Sequence, residues 1–366
     1  MGSALAPPAF AGPDDFFYPT RTDWTDSHGE TNLSVFVFND LNNNGAYDLG
    51  DRAMAGIATG LSQNGAPVSL VRSNINGFAN YPASSSQGSA PLASAGMYDF
   101  EVFVPPGWRI STGNKVQSRT LVAVPGSNAG LGFATMLNPV GLARYGFIRG
   151  TYDFPEAGTL RLLQNGAEIA SAALTPGEQF LWPVAPGRYD LEIGEVQHSV
   201  QVGPYPVDIG AVNASPQAPP AGSVIDFENM APSGLQKVPN GYGGLNWFNL
   251  NIMASAKAKG DVGYVNGASS GYNILYTSSG HPATIYADSP FDFIEVNLSL
   301  AWPEAEGETL EMAFYRGKTM IARDVIGLSA YGPITYQPRL SGVTRVEIST
   351  THNWQAVLDD LVIRLR

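Results

Sequence analysis

The sequence predicts an all-β protein of tandem β-sandwiches, and three observations lead there. Apolar and polar residues alternate at a period of two in LSVFVFN, MYDFEVFV, GTLRLL, RYDLEIG, HSVQVG, TRVEIST and DDLVIRL, the period of strands with one buried face. Breaks such as QNGAP, NING, PPG, QNGAE and APG divide these runs with turn chemistry. No long stretch between caps carries apolar residues at i, i+3, i+4 and i+7, so helices are nearly absent.

Composition narrows the class. The chain has 366 residues, long for one core and suited to two or three domains. With 44% hydrophobic and 14% charged residues it is globular rather than disordered. Its 41 glycines and 27 prolines are spread along the chain, as many short strands joined by turns require. Against 32 acidic residues stand 20 basic ones, a net charge of -12. Such a surface repels phosphate backbones, so no nucleic-acid partner is expected, while calcium and neutral polymers are tolerated. The absence of cysteine removes disulfides, thiolate catalysis and cysteine-ligated zinc or iron–sulfur sites. No apolar run is long enough to span a bilayer, so no transmembrane segment is expected. The opening MGSALAPPAFAG has neither a basic n-region nor an apolar h-region. MGS reads as an expression scar and ALAPPAFA as the trimmed end of a signal peptide. An extracellular or cell-surface location, with the leader removed, is therefore expected.

The elements group into modules. Residues 1–30 form an N-terminal extended segment. In the first half, NGFANYP around Gly77 and GEQFLWP around Gly177 are each followed by a tyrosine strand, GMYDFEVFVPPG at Gly96 and GRYDLEIG at Gly187. Two tandem sandwiches, 31–142 and 143–213, explain the repeat, with Tyr98 and Tyr189 at equivalent positions. NASPQAPPAGS, rich in Pro, Ala and Ser, reads as an extended tether, with its linker at 214–222. Residues 223–366 open with VIDFENM and close with WQAVLDDLVIRLR.

The chemistry starts where LSVFVFN runs into DLNNNGAYDLGD. Two Asp or Asn residues would make a turn; this many ask for a cation. Asp40, Asn42, Asn44, Asp48 and Asp51 fall at positions 1, 3, 5, 9 and 12 of an EF-hand-type loop, with Gly45 at 6 and the Ala46 carbonyl at 7. Calcium takes hard oxygen ligands, and the glycine allows the sharp turn that brings them round. No helices flank the loop, so its expected role is to stiffen rather than to sense. An Asn-rich turn without an ion is the alternative.

VFVFNDLNNNGAYDLGDRAMAGIATGL, NGFANYP and GMYDFEVFVPPGW together resemble the SdrD B-like repeat of bacterial surface proteins. Asp51 stands where that family has Glu, and SSSQGSAPLASAG lengthens one hairpin. The second module lacks the acidic loop and resembles a metal-free Cna-B or carboxypeptidase-regulatory-like sandwich. The bracketing of 223–366 is similar to galactose-binding-like jelly rolls, which include many carbohydrate-binding modules. That resemblance implies first and last strands side by side and a second, weaker calcium site held by Asp226, Glu228, Asp359 and Asp360.

Aromatic residues are frequent in the last module. Sugar rings stack their C–H faces on aromatic rings and offer hydroxyls to amides and carboxylates. GYGGLNWFN gathers Tyr242, Asn246, Trp247 and Asn249 beside glycines, a set suited to a glycan. Large aromatics are also mostly buried, so a core role for Trp247 is the competing reading. Signs of catalysis are sparse. GASSG fits G-x-S-x-G around Ser269, but that elbow needs a strand before and a helix after, and YNILYTSSG reads as strand. None of His28, His198, His281 and His352 forms a spaced metal pair. Glu304, Glu306 and Glu308 could supply paired carboxylates, but any acidic protein offers that, and a solvated charged hairpin is the better account of them.

The expected function is that of a non-enzymatic, calcium-stabilised surface protein whose jelly roll binds a glycan or matrix polymer. A structural adhesion or biofilm-matrix protein that binds other surface proteins is the rival, and an extracellular hydrolase the third class.

Overall fold

The computed structural model describes residues 32–82, 91–123, 131–133, 137–213, 222–232, 234–258 and 262–366. The expected N-terminal segment, most of the hairpin insertion SSSQGSAPLASAG and nearly all of the 214–222 linker lie outside the described residues. The protein is all-β: among the described residues the one α-helix is Val262–Asn266. The chain divides into two compact units, Met1–Arg144 and Tyr145–Arg366.

The first unit is a sandwich. Its strand Asn32–Asn39 pairs antiparallel with Phe78–Pro82 and parallel with Val140–Arg144. The second sheet runs Ala66–Arg72, Ala58–Gln63, Gly96–Val102, Val116–Ala123, Leu131–Phe133. Leu33, Val35 and Val37 alternate into the core between the sheets. Phe36 and Phe38 point the other way and are buried as well, because Tyr47 folds back over them.

The second unit begins with the same arrangement. Phe147–Tyr152 pairs antiparallel with Gln179–Pro183 and parallel with Val207–Val212. The facing sheet runs Ala167–Leu174, Gly158–Gln164, Gly187–Ile193, Val196–Val202. Both hairpins turn on the same QNGA tetrapeptide. Asn64 and Gly65 have φ of 52° and 78°, Asn165 and Gly166 of 53° and 77°. Two successive positive φ values define the type I′ turn, whose twist matches that of the flanking strands.

One expectation is corrected. The strand Val207–Val212 pairs parallel with Ile334–Tyr336, Val207 against Thr335 and Asp208 against Tyr336. The small sandwich and the jelly roll therefore share a sheet and are not held apart on a tether. Polar contacts reinforce the joint: Arg149 Nη2 donates to the Gly327 carbonyl at 3.3 Å, Gln337 N donates to Asp208 O at 2.7 Å, and Arg339 donates to the Ser199 carbonyl.

In the jelly roll the first strand, Ser223–Ile225, lies antiparallel to the last, Ala356–Leu365. The 18-residue strand Ala283–Leu300 serves both layers. Its later half pairs with Ala356–Leu365, and its earlier half with Asn246–Phe248 and Leu340–Thr350. Thr309–Arg316 and Thr319–Gly327 complete the second layer. Phe227, Trp247, Phe291, Phe293, Phe314 and Tyr336 fill the space between the layers.

Candidate functional site

The acidic loop is tied down at both ends. Tyr47 packs its edge on Phe36 and Phe38, with ring centroids 4.8 and 5.2 Å away. Asp40, only 2% exposed, accepts the N–H groups of Asn44 (3.1 Å) and Gly45 (2.8 Å). Asp51 accepts those of Leu41 (2.9 Å) and Asp48 (3.1 Å) and so closes the ring. Asn44 Oδ1 accepts the N–H of Ala46 at 2.8 Å, and the amides of Asn42 and Asn44 both donate to Asp48. Gly45 has φ of 80°, and a Cβ there would lie 3.2 Å from the Ser111 carbonyl.

The loop thus links all five side chains singled out from the sequence, and it collects negative charge. Among the described residues no Lys, Arg or His forms an ion pair with Asp40, Asp48 or Asp51. Burial, reinforced by the charges of Asp40 and Asp48, pushes the Asp51 carboxyl up to about 6. Also among the described residues, no group of three or more acidic or histidine side chains stands ready to hold a metal. A cation here would rest on amide and carbonyl oxygens as much as on carboxylates. The donors are all oxygen, which fits a hard cation such as calcium.

The four terminal-strand acids are differently placed. Glu228 Oε1 accepts the N–H groups of Tyr272 (2.9 Å) and Asn273 (2.6 Å). The fully buried Asp359 accepts those of Ser269 (2.7 Å), Ser270 (3.1 Å) and Asp360 (2.8 Å). Asp360 accepts the Ser270 hydroxyl, and Asp226 the Glu228 N–H. The segment 269–273 therefore draws in three of the four acids and occupies their oxygens with its own donors. Ser269 lies between the helix Val262–Asn266 and the strand Asn273–Thr277, the reverse order to a nucleophile elbow. Glu306 and Glu308 are likewise engaged, Glu306 with the Ala330 N–H, Glu308 with the Thr309 N–H and with His352 Nδ1.

The proposed sugar set is split by the pleat. Trp247 is 6% exposed and belongs to the core, its edge against Phe227 and its Nε1 donating to the Tyr242 carbonyl at 3.0 Å. It offers no face to a ligand, which corrects the expectation of a stacking platform there. Asn249, at φ 57°, spends its amide on the carbonyls of Ser278, His281 and Pro282. Tyr242 stacks on Phe227 and donates to Asn229 Oδ1 at 2.6 Å. Only Asn246 reaches the outer face of the sheet, directly across from Tyr286.

That outer face carries what the sequence reading missed. The neighbours of Trp247 must point away from it, and Phe248 is 64% exposed. Across the sheet one row reads Phe248, Thr284, Glu347, Ala313, Arg323, and the next reads Asn246, Tyr286, Arg345, Tyr315, Met320. Of these, Phe248, Thr284, Glu347, Ala313, Arg323, Tyr315 and Met320 border a depression of about 470 Å³. Arg345 lies 4.1 Å over the Tyr315 ring, and the Tyr315 hydroxyl donates to Glu347 Oε2 at 3.0 Å. The face joins exposed rings to carboxylate, guanidinium and hydroxyl groups, the chemistry a polyhydroxylated ligand needs. A larger cleft of about 680 Å³ lies at the joint with the small sandwich. Its polar side chains are already engaged, Arg149 with Asp208 and, across the joint, with the Gly327 carbonyl, and Asp324 with Tyr336.

No family model matches the sequence, and no curated protein matches it. Among solved structures, the chain is similar to the CBM22-1 xylan-binding domain of Xyn10C from Paenibacillus barcinonensis, at 14% identity over 40% of this chain and 97% of that one, TM-score 0.24. It is similar to the shaft pilin spaA of Lactobacillus rhamnosus GG, at 10% identity over 49% and 97%, TM-score 0.24. The K1 cleaved adhesin domain of Lys-gingipain from Porphyromonas gingivalis W83 gives 12% identity over 40% and 98%, TM-score 0.24. Likenesses of this size assign no function to the chain.

Proposed function

We propose that this is an extracellular binding protein whose jelly roll takes a glycan on the outer face around Phe248, Tyr286 and Tyr315. The observation that carries the reading is the exposure of Phe248 next to buried Trp247, on a face that also presents Glu347, Arg345 and Arg323. An exposed ring costs apolar hydration unless something covers it, and sugar C–H faces suit rings set among hydroxyl-binding groups. The acidic loop of the first unit binds calcium through Asp40, Asn42, Asn44, the Ala46 carbonyl, Asp48 and Asp51, and stiffens that sandwich. Calcium supplies the positive charge that the three carboxylates lack, and extracellular modules work with weak calcium affinity. The test is a glycan array run with calcium and with chelator, comparing the native chain with Phe248→Ala. Glycan binding that Phe248→Ala weakens supports the reading; a blank array overturns it.

The structural alternative has an observation of its own. On the outer face of the first sandwich Leu70 is 68% exposed, across Gly60 and Glu101 from the exposed Val116. The exposed Leu70 and Val116 suit contact with another surface protein, and pull-down by a Leu70→Asp variant would lose that partner.

A further inference from the structure

The two sandwiches end in equivalent edge strands, Ala66–Arg72 and Ala167–Leu174, each entered through the same QNGA turn. An exposed edge is a template for another strand, and proteins blunt it with proline and basic side chains. The first edge reads APVSLVR: Pro67 has no N–H to offer, and Arg72 charges the far end. The second reads AEIASAAL, with neither proline nor basic residue. Its one charge, Glu168, is neutralised inside its own sheet by Arg161 at 2.8 Å. Among the described residues its only ladder partner is Gly158–Gln164.

We propose that the edge strand Ala167–Leu174 pairs antiparallel with the same strand of a second copy of this chain. In a chain of net charge -12, copies repel one another over most of their surface. The single charge on this edge is paired within its own sheet, so the edge adds little to that repulsion. The strand is also self-complementary. Past the β-bulge at Ile169 its outward side chains are Ser171 and Ala173, and its inward ones Ala170, Ala172 and Leu174. A two-fold axis through Ser171 sets Ala170 opposite Ala172 and keeps Glu168, beyond the bulge at Ile169, away from the Glu168 of the other copy, so no like charges meet. Small side chains on both faces let the two edges close to strand spacing, and the two four-stranded sheets become one continuous sheet. This inference stands apart from the glycan reading, since it uses no residue of the jelly roll.

The experiment uses the full chain. Sedimentation equilibrium should show a monomer–dimer equilibrium, and Ser171→Lys, which sets two ammonium groups across the axis, should raise the dimer dissociation constant at least tenfold. Ser171 is exposed, so the substitution leaves the fold intact, which circular dichroism checks. Because the chain has no cysteine, Ser171→Cys provides a single thiol for a short bis-maleimide. Cross-linked dimer from Ser171→Cys, and none from Leu70→Cys on the equivalent first edge, supports the pairing. A monomer at every concentration, a dimer indifferent to Ser171→Lys, or equal cross-linking from both cysteine variants overturns it.

Discussion

Tyr98 and Tyr189 make the same hydrogen bond in two different sandwiches. Tyr98 donates its hydroxyl to the Ser94 carbonyl at 2.9 Å and Tyr189 to the Ala185 carbonyl at 2.8 Å, four residues upstream in each case. Each follows a glycine by two positions, Gly96 and Gly187, and each ring is buried. The bond fixes the chain where it enters the central strand of the second sheet. Tyr98→Phe and Tyr189→Phe should each cost about 1 kcal/mol, the scale of one neutral hydrogen bond. Their effects should add in the double variant, because the residues lie in separate compact units. Urea denaturation of the single and double variants measures both; a strong departure from additivity would show that the two sandwiches do not stabilise independently.

Trp247 and Phe248 should separate stability from binding. Trp247→Ala empties a core position and is expected to cost about 3–5 kcal/mol. Phe248→Ala removes an exposed ring and should change stability by no more than about 0.5 kcal/mol. Thermal melts of the two variants check this; equal losses would place Phe248 in the core.

Calcium and pH should act together on the acidic loop. The folded-state value of Asp51 is raised from 3.8 to about 6. A raised carboxylate contributes stability that is fully present below its unfolded value and lost as pH rises through its folded value. In chelator the first sandwich should therefore weaken as pH climbs from about 4 through about 6. Calcium needs the ionised carboxylate, so the calcium-dependent rise in melting temperature should appear over the same window and be lost in Asp40→Ala. A calcium effect equally large well below and well above that window would contradict the assignment of Asp51.

A second pH effect belongs to the jelly roll. Burial, with the neighbouring Asp360 charge, raises Asp359 from 3.8 to about 8. By the same sign the stability it contributes is fully present in acid and disappears as pH rises through about 8. Carboxyl-carbon NMR of Asp359 should show titration in mildly alkaline solution. A value returned to the ordinary carboxylate range by added calcium would establish the second calcium site that the resemblance to galactose-binding-like domains implied.

Much of the fold was legible because local chemistry is written out in full. The QNGA turns at 63–66 and 164–167 and the Tyr-Asp-apolar-Glu runs announce the repeat, and DLNNNGAYDLGD announces its loop. The pairing of Val207 and Asp208 with Thr335 and Tyr336 was not legible, since it joins residues far apart in sequence and leaves no short-range pattern. The outer face around Phe248 escaped the sequence reading for a different reason. Tyr242, Asn246, Trp247 and Asn249 group in the sequence as sugar-binding types, whereas the period of a strand sends Trp247 inward and its neighbours Asn246 and Phe248 outward. Tyr286 and Tyr315 join Phe248 only through cross-strand register.

The most direct test of the glycan face is calorimetric titration of an oligosaccharide retained on the array, into the native chain and into Phe248→Ala. Loss of one stacking ring, worth about 1 kcal/mol, should weaken affinity by about fivefold or more while the melting temperature stays put. Undiminished affinity in Phe248→Ala at an unchanged melting temperature would show that the glycan binds elsewhere and would contradict the account.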